Sequence, residues 1–166
     1  ARVERTGRRL GARPVRLGVS RPALRFRLRF RLRGGRRSAR LVQGGDGSFY
    51  GTTQQGGATG LGTVFKMTPA GVLTTLVEFT GNGASNKGRN PEAGLVLGSD
   101  GNFYGTTIWG STNSRGTVFK MTPAGVRTTL VEFTYDGTSN MGLYPYAGLV
   151  QGSDGNFYGT TIGGGA

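Results

Sequence analysis

The chain has 166 residues, enough for one ordinary domain, and 33 of them are glycine without the every-third-residue spacing of collagen. Neither cysteine nor histidine occurs, which excludes a disulfide framework, a thiolate metal site, an imidazole base and the usual zinc shell. The net charge of +13 points to an acidic partner, yet it is confined: residues 1–40 hold 15 Arg and one acid, Glu4 (+14), whereas residues 41–166 hold six basic and seven acidic residues (−1).

Residues 1–40 come first. Within them, Arg25-Phe26-Arg27-Leu28-Arg29-Phe30-Arg31-Leu32-Arg33 alternates with the period of two expected of an amphipathic strand. Such a segment would bind phosphate by counterion release or lie on an anionic membrane. Two plainer readings stand beside these. One is a disordered basic linker. The other is out-of-frame translation of a GC-rich gene, which yields Arg without Lys among Ala, Pro and Gly. Nucleic-acid binding rests on this segment alone.

From Leu41 the pattern changes to short strands and tight turns. Residues 41–44 read as a first strand, and Gly45-Asp46-Gly47-Ser48 as a hairpin turn, where Asp-Gly supplies positive φ at low steric cost. Phe49–Thr53 reads as a second strand and residues 54–61 as a polar, Gly-rich loop. Thr63–Met67 is the third strand. Thr68-Pro69-Ala70-Gly71 closes the next hairpin, Pro presetting φ and Gly accepting the left-handed position. Val72–Phe79 is the fourth strand, and a loop from about residue 80 to 93 follows.

The same order then returns. Leu41–Thr53 recurs at Leu95–Thr107 and again at Leu149–Thr161, each time 54 residues on. Gly62–Val72 recurs unchanged at Gly116–Val126. Units 41–94 and 95–148 match at 36 of 54 positions without a gap, and residues 149–166 begin a third unit. Adjacent apolar pairs such as Val64-Phe65, Leu76-Val77 and Phe49-Tyr50 put apolar groups on both faces of a strand. A strand covered on one side alternates, and one sandwiched between layers need not. Four such antiparallel strands per unit describe an all-β fold of β-propeller blades, each packed between neighbours.

The run Pro-x-Ala-Gly-Leu-Val-x-Gly-Ser-Asp-Gly-Asn-Phe-Tyr-Gly-Thr-Thr at Pro91–Thr107 and Pro145–Thr161 resembles the GloVer-type bacterial tandem repeat, as does Gly116–Val126. Proteins of that kind are described as choice-of-anchor tandem repeat proteins. The resemblance covers residues 41–166. It implies an exported protein held at the cell surface, and it carries over no functional residues. Asp-Gly-Asn-x-Tyr is also similar to the turn of NHL-type propeller blades. Two units and the start of a third fall short of the four to eight blades of a ring. The chain is therefore expected to be a fragment, needing its remaining blades or another copy to close. No apolar run nears the roughly 20 residues of a membrane-spanning helix, and no signal-peptide core is visible.

Several residue types invite a chemical reading. Asp46, Asp100 and Asp154 share one turn position, where they would bind calcium, act as acid and base, or simply accept backbone hydrogen bonds. The last reading is preferred, because one Asp per unit makes a poor calcium loop. Glu78 and Glu132 read as edge-strand charges that discourage sheet pairing, and Lys66 and Lys120 as snorkelling stems. Thr52-Thr53 lack a base and read as strand residues, and Gly163-Gly164-Gly165 lacks the Lys-Ser/Thr ending of a phosphate loop. No metal or cofactor is expected.

The two units differ most in their loops. Residues 54–61 and 108–115 share only Gly56/Gly110, and residues 81–90 and 135–144 also diverge. Trp109, Tyr135, Tyr144 and Tyr146 belong to the second unit alone. They would stack on sugar rings, anchor a protein partner, or fill gaps between blades. The expectation is a non-catalytic, extracellular or cell-surface repeat module with a binding or structural role, its partner a surface glycan or a protein. The alternative is a fragment of a glycan-active propeller enzyme whose site lies on other blades.

Overall fold

In a computed structural model the described residues are 40–81, 88–134 and 142–164. They form strands and turns, with no helix among them and hence none long and apolar enough to cross a membrane. The Arg-rich strand or linker expected within residues 1–39, and Tyr135, lie outside the described residues.

The first antiparallel sheet takes its strands in chain order: β1 (Val42–Gln43), β2 (Phe49–Thr53), β3 (Thr63–Met67) and β4 (Leu73–Glu78). The second repeats that order with β5 (Val96–Leu97), β6 (Phe103–Thr107), β7 (Thr117–Met121) and β8 (Arg127–Glu132). The registers correspond: Phe49 faces Met67 in the first sheet, and Phe103 faces Met121 in the second. Two short pairs follow. β10 (Val150–Gln151) pairs with β11 (Phe157–Tyr158), and β9 (Gly142–Leu143) pairs with β12 (Gly163–Gly164).

Local chemistry explains the turns. Gly47 and Gly71 adopt φ of 77° and 86°, which residues with a Cβ resist. Each turn is closed by backbone bonds, Gly47 N–H to Gly44 C=O at 3.0 Å and Gly71 N–H to Thr68 C=O at 2.9 Å. Thr68 N–H also donates to the Val72 carbonyl at 2.9 Å, so Gly44 and Val72 belong to the turns, and β1 and β4 are shorter than the expected 41–44 and 72–79. Phe79 still donates to the Gly62 carbonyl at 3.0 Å, one step past the end of β4.

In both sheets the register slips once, between Val64 and Phe65 and between Val118 and Phe119. The slip inserts Leu76 or Leu130 as an extra residue on the outer strand. Such a bulge re-aims a side chain and bends its strand. Leu76 packs against the core that lies between the two sheets.

That core joins Tyr50, Val64, Val77 and Phe79 of the first sheet to Phe103, Phe119 and Met121 of the second, with Leu95 between them. Tyr50 stacks on Phe103 at 4.1 Å, and Phe79 meets Phe119 edge-on at 5.5 Å. Each fully buried side chain of this size stabilises the packing by about 1.5–3 kcal/mol. The expectation of apolar groups on both faces holds for β3, where Val64 and Phe65 are both buried. It fails at the start of β4, where Leu73 is 46 % exposed. Its counterpart Arg127 instead lies over the rings of Phe79 and Phe119, at 5.2 and 4.9 Å. Position 127 has a preceding sheet to cover it; among the described residues position 73 has none.

Candidate functional site

Three arrangements carry polar chemistry. The first is at the Asp-Gly turns. Asp46 accepts the Ser48 N–H at 3.0 Å, as its turn role requires, and Asp100 accepts the Asn102 N–H at 3.1 Å. The second carboxylate oxygen has a further task. Asp46 Oδ2 accepts from Tyr50 Oη at 3.0 Å and pairs with Lys66 Nζ at 2.8 Å. Asp100 repeats this with Tyr104 at 2.9 Å and Lys120 at 2.9 Å. The reading of Lys66 and Lys120 as plain snorkelling stems is thus corrected. Their ammonium groups close an Asp–Tyr–Lys cluster, because β3 and β7 place them cross-strand from Tyr50 and Tyr104.

The Lys66 ammonium holds the Asp46 carboxyl down at about 2, with help from the Ser48 N–H and Tyr50. Lys120, then Asn102, hold Asp100 below the usual carboxylate range. Partial burial and the adjacent carboxylate push the Tyr50 phenol up. These carboxylates are ionised and engaged at neutral pH. Among the described residues no three acidic side chains gather as a metal shell would require.

The second arrangement holds the variable loops. Glu78 accepts the Ala58 N–H at 3.1 Å, and Glu132 accepts the Thr112 N–H at 3.1 Å. The two glutamates do lie on the outermost strands, as expected of edge charges. Their carboxylates, however, turn back to pin residues 54–61 and 108–115. The loops therefore differ in sequence while sharing an anchor.

The third arrangement is aromatic. Trp109 and Tyr144 come together, ring centres 4.5 Å apart and tilted by 58°. Arg89 lies 6.0 Å from the Trp109 ring and Arg115 5.9 Å from the Tyr144 ring. Arg115 Nη1 donates to Tyr144 Oη at 2.7 Å. Backbone geometry sets these positions: Arg89 and Trp109 exchange two hydrogen bonds, at 2.8 and 3.2 Å. Tyr146 stands apart from that ring contact and is 47 % exposed. Sequence reasoning singled out the aromatics and missed both arginines. Their signal was present, since Arg89 and Arg115 each differ from the residue at the matching place in the other unit, Leu143 and Leu61.

Tyr144 is the most informative member. Its φ is 55°, a left-handed conformation that Asn tolerates and bulky residues resist. The first unit has Asn90 in that place, also at φ 55°, its side chain donating to the Gln54 carbonyl at 3.0 Å. The second unit replaces a residue suited to this backbone with one that is not. Residues held in such regions cost on the order of 1–3 kcal/mol and persist where their surroundings fix them. Here the ring contact with Trp109 and the hydrogen bond from Arg115 do so.

Fold and site together define a class: an all-β chain of antiparallel four-strand sheets packed through their apolar faces, with sequence differences gathered in anchored loops. The chain belongs to the Gloeobacter/Verrucomicrobia repeat family, whose model matches residues 15–166. This agrees with the resemblance carried by Pro91–Thr107 and Gly116–Val126. The matched span also starts upstream of Leu41, inside the Arg-rich segment. No curated protein matches the chain.

Proposed function

We propose that the four-strand sheets are blades of a β-propeller and that the chain is a non-catalytic binding module at the cell surface, reading surface glycan through the second unit's aromatic loops. The observation that carries this is Tyr144. A substitution that works against the local backbone, yet builds a Trp–Tyr pair flanked by two guanidinium groups, is the kind of strained feature that clusters at ligand sites. Trp, Tyr and Arg are also the residues enriched at binding hot spots, and aromatic faces suit the apolar faces of sugar rings. The resemblance to exported repeat proteins is what supports the proposed placement outside the cell.

The test is a glycan array followed by calorimetric titration of the best ligand. Trp109→Ala and Tyr146→Ala are expected to weaken binding by about tenfold or more, equivalent to about 1.4 kcal/mol. The matching substitution in the first unit, Gln55→Ala, should leave affinity unchanged. A protein that binds no glycan, or binds equally after both aromatic substitutions, refutes the reading. Cell fractionation in the source organism checks the placement, and recovery with the cytosol would overturn it.

A further inference from the structure

The two contacts between successive units use the same positions, yet one is filled and the other is open. Tyr50 stacks on Phe103 at 4.1 Å, and Tyr104 stacks on Phe157 at 3.8 Å. Thr52 Oγ1 donates to the Ala93 carbonyl, and Thr106 Oγ1 donates to that of Ala147. The β10–β11 hairpin therefore sits on the second sheet much as β5–β6 sits on the first.

The resemblance stops there. Across the first contact, β7 and β8 deliver Phe119, Met121 and the half-buried Arg127 onto Val64, Val77 and Phe79, and the five apolar side chains are buried. Across the second, the matching Val118, Val131 and Phe133 are only half-buried and line a cleft of about 400 Å³. Leu130, the bulge residue on its rim, is 50 % exposed. β11 has two residues where β6 has five, so among the described residues Gly159–Thr161 stay out of a ladder. An unpaired edge beside an apolar cleft is a template for strand addition.

Charge points the same way. Asp46 and Asp100 each take a lysine from the third strand of their unit, Lys66 on β3 and Lys120 on β7. Asp154 takes Tyr158 Oη at 2.6 Å and Asn156 Nδ2 at 2.8 Å, and among the described residues no lysine.

We propose that this cleft and the free edge of β11 receive the third-and-fourth-strand hairpin of a further repeat unit, with the pattern Thr-Val-Phe-Lys-Met followed by Thr-Thr-Leu-Val-Glu. Its Phe enters the cleft beside Phe133 as Phe119 does beside Phe79. Its Lys meets Asp154, in the register that sets Tyr104 opposite Lys120. The site takes a hairpin, not a small molecule, and it does not depend on what the variable loops bind.

The probe is a fluorescently labelled peptide of residues 116–134, added to the full chain and followed by anisotropy and by hydrogen exchange. The expected result is saturable one-to-one binding with new amide protection at Phe157–Thr161. Leu130→Asp in the chain should weaken it about tenfold or more, and Asp154→Asn or a Lys120→Met peptide about threefold or more. A Phe119→Ser peptide should not bind. Circular dichroism of the Leu130→Asp and Asp154→Asn chains confirms that loss of binding is not loss of fold. Absence of saturable binding overturns the proposal, and so does binding indifferent to Leu130→Asp. Protection already present without peptide and lost on deleting residues 1–39 would assign the cleft to that segment and also overturn it.

Discussion

Phe79 and Phe133 occupy the same place in successive units, and alanine at each should have very different consequences. Phe79 is fully buried, 5.5 Å from Phe119, with the Arg127 guanidinium 5.2 Å from its ring. Burial pulls Arg127 down to about 10, so it remains charged at neutral pH, where it lies over both rings. Phe79→Ala removes the ring's burial, opens a cavity between two sheets, and takes one aromatic face from a desolvated cation. Buried Phe→Ala changes cost about 3–5 kcal/mol, and the added loss at Arg127 places this one near the top. Phe133 already borders an open cleft and leaves no enclosed cavity, so Phe133→Ala should cost about 1–2 kcal/mol. With a urea slope of about 2 kcal/mol/M, the difference of roughly 3 kcal/mol separates the two midpoints by about 1.5 M. Far-ultraviolet circular dichroism and the fluorescence of Trp109, the single tryptophan, should report coincident transitions. Midpoint shifts within about 0.5 M of each other would refute the claim that the first contact is closed and the second open.

Two further outcomes are expected. Lys66→Met should move the Asp46 carboxyl midpoint, read from its side-chain carbon resonance, up from about 2 toward the ordinary 3.8. Because the folded-state value is the depressed one, the cluster stabilises the protein fully above pH 3.8 and loses that contribution as pH falls toward 2; the variant should lose this acid-limb dependence, and a midpoint still near 2 would show that Lys66 is not the cause. Thr107→Val should destabilise by about 1–3 kcal/mol, since it strands the buried Thr117 hydroxyl 2.8 Å away, and the Thr107→Val/Thr117→Val double variant should cost less than the two single changes together. Strict additivity in that cycle would exclude the hydroxyl pair as a stabilising contact.

Much of the local structure was legible because turn chemistry and strand patterning act over a few residues. Phe49–Thr53 and Thr63–Met67 appear with the bounds read for them, and Asp46 and Asp100 serve their turns through backbone bonds. The residues that escaped did so for a common reason. Lys66 lies 20 residues from Asp46, and Glu78 lies 20 residues from Ala58, so their partners are set by strand pairing and not by sequence neighbourhood. Arg89 and Arg115 likewise acquire aromatic partners across loops that adjoin only once the sheets have formed.

By itself, then, the sequence determined the strands, the turns and the periodic return of both, because φ preferences and apolar spacing are properties of short segments. It also marked the loops as the place where the units part company. Only the tertiary structure decided what those positions do. It turned lysine stems into ion pairs and edge glutamates into loop anchors. It put a tyrosine into a left-handed backbone beside Trp109, and it left Phe133 at an open cleft where Phe79 is sealed. Identical residues in successive units differ in burial because burial depends on what packs against them, and that is a property of neighbours in space.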